Sequence, residues 1–275
     1  MMDSENGVPG SKVWLDRAEI LIADGIDERF ARRYAQAQLD ALPPGKEGVE
    51  SLPVTSAEWA DIVLLIDAAS VLREYFGLYP LEVLADRVHL LRVVEYRTHF
   101  GMIKSCTCGG HVYLPEHVRF SPGQWLPYLS HEIAHLAGFV AATVVMESED
   151  AARLSYTRFG LQRLGEGGGL EFIGLNEAVV EIASLNIRKI AAMISPPFGE
   201  RYSLDDAAPV GYSGQMTMVN ELCAVLAGLE STEWKDPREV IEVLLADFLG
   251  GSDVLLEKLA EIAPSILEIY RKMKG

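Results

Sequence analysis

The segment LSHEIAHLAGFV, residues 129–140, constrains the fold more than any other stretch, because its spacing has meaning only on a helix. Residues four apart on an α-helix lie about 40° apart around the axis, so His131 and His135 present their imidazoles to one point from successive turns. Glu132 sits roughly 100° from His131 and about 60° from His135, near enough to reach a metal-bound water without displacing either ligand. Leu129, Ile133, Leu136 and Val140 repeat at spacings of four, three and four on the opposite side, the stripe expected to bury against a core. One face anchors the helix, and the other carries a two-histidine clamp beside the carboxylate of a general base.

A zinc site of this kind needs a third protein ligand and an open position for water. HEIAHLAG follows the pattern H-E-x-x-H-x-x-G through Gly138, but the third-histidine position of that signature holds Ala141. A glutamate from a later helix is the other option. GLNEAVVEIAS offers Glu177 and Glu181 on one face, with Leu175, Val179 and Ile182 on the other. Glu177 would ligate, and Glu181, one turn later, would accept the second ring N–H of a histidine ligand and fix its tautomer. Taken alone, the same pattern describes an amphipathic helix with a solvated acidic stripe; the presence of HEIAH favours the ligand reading.

The chain around this pair divides into distinct textures. Asp16 to Leu42 has a helical pattern ended by the PPG at Pro43, and a second helix runs from Ser56 as N-cap, with Glu58 just inside, to about Tyr75. From Val83 to Phe120 the β-branched and aromatic runs RVHLLRVVEYRTHF and GHVYLPEHVRF predict strands. Ser121 and Pro122 open the HEIAH helix, with Pro127 as the other candidate for its first turn. SYTRFGLQRLGEGGGLEFIG predicts two short strands joined by a glycine-rich turn; it lacks the GK[ST] ending of a phosphate cradle. Beyond Pro197 the pattern is helical, with breaks at PPFGERYSLDDAAPVG, TEWKDP and GGS.

Composition bounds the partners. Across 275 residues an apolar fraction of 49% supplies a sizeable core without help from disulfides. A net charge of −16 leaves little positive surface for a phosphate backbone and argues against nucleic acid. Charges interrupt the apolar runs before membrane-spanning length, and the first residues do not have the texture of a secretory leader, so the expectation is a soluble, cytoplasmic protein with no membrane partner. Cys106, Cys108 and Cys223 leave an odd thiol, which fits a reducing compartment. Cys106 and Cys108 with His111 form a partial metal set, but no second pair stands at finger spacing and CTCGG reads as a turn.

HEIAH followed by NEAVVE resembles the gluzincin clan of zinc metallopeptidases, the thermolysin-like arrangement, and in layout is similar to small bacterial cytoplasmic gluzincin-like proteins. The resemblance covers roughly Val88 to Leu226. In that clan an Asn-Glu pair opens a helix whose glutamate completes the zinc site, and an acidic residue four positions later braces a histidine, which matches Asn176, Glu177 and Glu181. The gap from His135 to Glu177 is longer than in thermolysin, and the interposed hairpin accounts for the excess. The resemblance implies one Zn2+ ion on His131, His135 and Glu177, a zinc-activated water, Glu132 as general base, and a peptide or protein substrate. Gluzincins also use a tyrosine or histidine to hydrogen-bond the oxyanion; Tyr202 and Tyr212 are the candidates, and PVGYSGQMTMVNEL favours Tyr212. GHVYLPEHV would correspond to the edge strand along which a peptide lies. A zinc-binding regulatory or interaction module on the same fold, and a helical binding protein with a fortuitous H-E-x-x-H, are the alternatives.

The implied fold is α+β and zincin-like: a small mixed β-sheet with an active-site helix, then a mostly helical C-terminal subdomain. Residues 1–140 would supply the N-terminal helices, the sheet and the HEIAH helix. Residues 141–275 would supply the β-hairpin, the glutamate helix and the helical C-terminal subdomain, both parts forming one catalytic unit.

Overall fold

The computed structural model describes residues 12–15, 18–23, 25–41, 49–83, 85–101, 105–108, 110–148, 151–165, 167–202 and 212–274, which form a mixed α and β fold. Its N-terminal part differs from the expected helix. Its first half holds strand β2 (Ala18–Ile22), paired antiparallel with β1 (Lys12–Leu15) just before the stretch, and helix α1 covers only Glu28–Asp40. In β2 the buried residues are Ala18, Ile20 and Ile22, the period of a strand with one covered face. Counted from Leu21 through Ile26 to Tyr34, neighbouring apolar residues imitate helical spacing. The PPG expected to end the helix lies outside the described residues. Helix α2 (Ser56–Tyr75) follows the sequence reading, with its cap one residue earlier: the Thr55 hydroxyl accepts from the Glu58 N–H and the Glu58 carboxylate accepts from the Thr55 N–H.

The strand-like region up to Phe120 is only partly strand. It contains β3 (Val88–Leu91), helix α3 (Val93–Phe100), β4 (Cys106–Cys108), β5 (His111–Pro115) and a 3-10 turn over Glu116–Phe120. VVEYRTHF becomes a helix because Tyr96 and Phe100, four apart, both pack on Leu91 and Tyr113. Strand preference is a weak bias of about 1 kcal/mol at most and yields to such packing. β5 pairs with β3 in parallel and with β4 in antiparallel fashion, so it is the central strand, and the expected free edge at GHVYLPEHV belongs instead to β4.

Helix α4 (Pro122–Ala137) carries HEIAH; it starts at Pro122, and Pro127 lies inside it. It stops at Gly138, where a Cβ would stand 2.8 Å from the Phe248 ring. The chain then turns into β6 (Val140–Met146), so Val140 belongs to a strand and not to the helical stripe. β7 (Ala152–Phe159), β8 (Gln162–Leu164) and β9 (Leu170–Glu171) follow; the tight turn is at Gly160, with φ of 56°, while the GEGGG segment joins β8 to β9. The remaining elements are α5 (Ile173–Ile194), α6 (Pro196–Arg201), α7 (Ser213–Gly228), α8 (Pro237–Gly250), α9 (Val254–Ile262) and α10 (Pro264–Lys272).

One sheet runs β1-β2-β6-β7-β8-β9, antiparallel except for the β2–β6 pair, and buries Val13, Ile20 and Val144 with Ala31 and Ala35 of α1. The three-stranded sheet shares the larger core with the helices: Val88, Leu90, Val112 and Leu114 pack into the same cluster as Leu65, Leu129, Ile133 and Val179. Helix α5 runs through this core against α2, α4 and α7. The packing of α4 on α5 puts the HEIAH turn beside the NEAVVE turn. No helix among the described residues is long and apolar enough to cross a membrane.

Candidate metal centre

Two buried helices build the centre. His131 Nε2 lies 3.4 Å from Glu177 Oε2, His135 Nε2 lies 3.5 Å from the same oxygen, and the two Nε2 atoms are 3.2 Å apart. Two atoms bound to one zinc at about 2.0–2.1 Å with a tetrahedral angle between them stand roughly 3.3 Å apart, so this donor set fits such an ion. Among the described residues it is the one group of three such side chains whose ligand atoms all lie within 4.8 Å of one another. His131 is buried, while His135 and Glu177 are partly open, which leaves an approach from the His135 side.

The surroundings orient the candidate ligands. The His131 Nδ1–H donates to Glu181 Oε2 at 2.6 Å, which leaves Nε2 to face Glu177 and His135. Glu181 has no exposed surface, so α5 has no solvated acidic stripe at this point. Asn176 lies in the first turn of α5 rather than at its entrance, and its Oδ1 accepts from the Leu161 N–H at 3.0 Å, tying the β7–β8 turn to the ligand helix. Tyr212, the N-cap residue of α7, stacks on the His131 ring with centroids 5.6 Å apart and planes at 12°. Tyr202 is engaged elsewhere: its hydroxyl donates to buried Asp61, which also accepts from Trp125 Nε1 at 3.2 Å.

Glu132 is buried on α4 and held by two hydroxyls that the sequence did not single out. Ser105 Oγ donates to Oε1 at 2.5 Å and Thr107 Oγ1 to Oε2 at 2.7 Å. Thr107 belongs to β4 and Ser105 directly precedes that strand. The turn expected at CTCGG is strand over Cys106–Cys108, where it pairs with β5. His111 pairs with His89, Nδ1 to Nε2 at 2.9 Å, and its own Nε2–H donates to the Asp40 carbonyl at 3.2 Å.

The electrostatics favour a positive charge between the ligands. Burial works to lower the His131 pKa, but hydrogen bonds to Glu177 and Glu181 reverse this and lift it to about 10. Burial works to raise Glu177, yet His135 and His131 hold its carboxyl well below the usual range. Burial, followed by the neighbouring Glu177 carboxylate, pushes the Tyr212 phenol far up, so it stays a hydrogen-bond donor at neutral pH. No protein-family model, curated protein or solved structure matches the chain.

Proposed function

We propose that this protein is a zinc-dependent metallopeptidase of gluzincin type, with a zincin-like fold, acting on a peptide or protein substrate in the cytoplasm. The observation that carries the reading is the meeting of His131, His135 and Glu177 within 4.8 Å on two helices, with Glu132 next to the first ligand. When bound there, zinc lowers the pKa of a coordinated water to about 7 and polarises a carbonyl.

The chain's own groups supply the rest. Glu132 takes the proton of the attacking water and passes it to the leaving amine, work worth typically about 10²–10⁴-fold. Ser105 and Thr107 keep both oxygens of that carboxylate in one orientation. Tyr212 donates a hydrogen bond to the oxyanion from its place against His131. β4 ends its sheet beside α4, so an extended peptide can add to it through main-chain hydrogen bonds. The odd number of cysteines supports the cytoplasmic setting.

One observation favours a second reading, a zinc-binding regulatory or interaction module: both oxygens of the proposed base accept hydroxyl hydrogen bonds. Digestion of a peptide library separates the two. The peptidase reading expects cleavage that chelator abolishes and zinc restores, and that Glu132→Gln eliminates while zinc stays bound. Stoichiometric zinc with no chelator-sensitive cleavage would establish the module.

A further inference from the structure

Arg188 stands on α5 in line with the metal centre: Glu177, Glu181, Ser184 and Arg188 follow at spacings of four, three and four and share the face turned to α4. Its side chain is 1% exposed, and among the described residues none of its three guanidinium nitrogens has a hydrogen-bond partner. Burial of a cation so poorly bonded is unfavourable unless an opposite charge offsets it. Glu181 is the charge at hand: Arg188 Nη2 is 3.9 Å from Glu181 Oε1, and Glu181 is fully buried. The two oxygens of Glu181 therefore face different ways. Oε2 accepts the His131 Nδ1–H at 2.6 Å, and Oε1 faces the guanidinium. Along the seam between α4 and α5 the order is the His131 ring, the Glu181 carboxylate and the Arg188 cation. Ser184, between the two charged residues, shares a hydrogen bond with Ser130 of α4 at 2.8 Å and closes the same face.

We propose that Arg188 is a positioning residue for the metal centre. Its fixed charge draws Glu181 Oε1 along the helix and so sets the angle at which Oε2 meets His131. That contact holds the His131 ring with Nδ1–H on Glu181 and Nε2 turned to Glu177 and His135. A packing role alone would be served as well by Met or Leu at this position, with no desolvated cation. The part concerning zinc rests on the metallopeptidase reading; the part concerning the His131 ring does not.

The test uses full-length wild type, Arg188→Met, Arg188→Lys, Glu181→Gln and the double variant Arg188→Met/Glu181→Gln, with two readouts. The first is the His131 Nδ1–H hydrogen bond to Glu181 in chelator-treated protein, read from the ring N–H shifts by long-range proton–nitrogen NMR. The second is zinc affinity by competition with a chromophoric chelator. Arg188→Met is expected to shift the His131 Nδ1–H resonance and to weaken zinc about 10–100-fold, the range for loss of a group that orients a ligand. Arg188→Lys, which keeps the charge, is expected to recover most of both. In the Glu181→Gln background Arg188→Met should add no further loss, because it acts through Glu181. If Arg188→Met does not fold, Arg188→Gln removes the charge at similar length and reads the same quantities. An unchanged His131 Nδ1–H resonance and wild-type zinc affinity in the charge-removing variant would overturn the proposal, as would additive losses in the double variant. A wild-type protein that binds no zinc would sink the metallopeptidase reading, while the ring measurement would still decide the role of Arg188.

Discussion

Glu177→Gln keeps the shape of the proposed third ligand and removes its charge, which makes it a sharp probe of the centre. The Glu177 carboxylate meets both imidazole nitrogens, at 3.4 and 3.5 Å. Zinc held by four ligands in small protein sites is worth about 10–16 kcal/mol, roughly 3–4 kcal/mol per ligand, so the substitution should weaken zinc by about 100–1000-fold. The consequence for stability follows by mass action. At free zinc 100 times the wild-type dissociation constant, binding stabilises the fold by about 2.7 kcal/mol; with the constant raised 100-fold or more, at most about 0.4 kcal/mol remains. At roughly 2–3 °C per kcal/mol for a chain of this size, zinc should raise Tm by about 5–8 °C in wild type and by about 1 °C or less in the variant. Thermal melts of chelator-treated protein, with and without zinc, read this directly. Equal zinc-dependent shifts in the two proteins would show that Glu177 is not a ligand.

Proton competition gives a second prediction. With its pKa lifted to about 10, His131 carries a proton at neutral pH that zinc must displace, so zinc affinity should rise about tenfold per pH unit between pH 6 and 8. Calorimetry in buffers of different ionisation enthalpy counts the protons released, and none released would contradict the electrostatics described. A third concerns the histidine pair of the small sheet. Burial and the adjacent His111 lower the His89 pKa from 6.5 to about 4, so the unfolded chain binds the extra proton first. Stability should fall as pH drops from 6.5 toward 4, and His89→Gln should reduce that slope in melts across the window. The fourth is local: Gly138→Ala would push a methyl against the Phe248 ring, 2.8 and 3.0 Å from its nearest carbons, and should cost about 1–3 kcal/mol. Denaturant melts should show Phe248→Leu recovering much of that loss; an undiminished deficit in the double variant would place the strain elsewhere.

What the sequence made legible follows from how far each signal reaches. Helix α2 shows its start because the capping box is local, four residues from Thr55 to Glu58. The two ligand helices are legible because their spacings are one turn of helix, a period that survives without knowledge of neighbours. β2 and α3 were misread for the complementary reason. β2 has five residues, too few to separate alternation from helical spacing, and its partner β6 lies far along the chain. α3 is decided by the contact of Tyr96 and Phe100 with Leu91 and Tyr113, which no local preference records. The same limit hid Ser105, Thr107 and Arg188. Each acts on Glu132 or Glu181 through tertiary packing, and a lone Ser, Thr or Arg in sequence carries no mark of it.

The most direct test of the account is zinc K-edge X-ray absorption on full-length protein loaded with one equivalent of zinc. The account predicts one ion per chain, bound by two imidazole nitrogens at about 2.0–2.1 Å and a carboxylate oxygen, with the oxygen lost in Glu177→Ala. A sulfur shell at about 2.3 Å, or zinc that dialyses away from wild type, would contradict the assignment of His131, His135 and Glu177 as the centre.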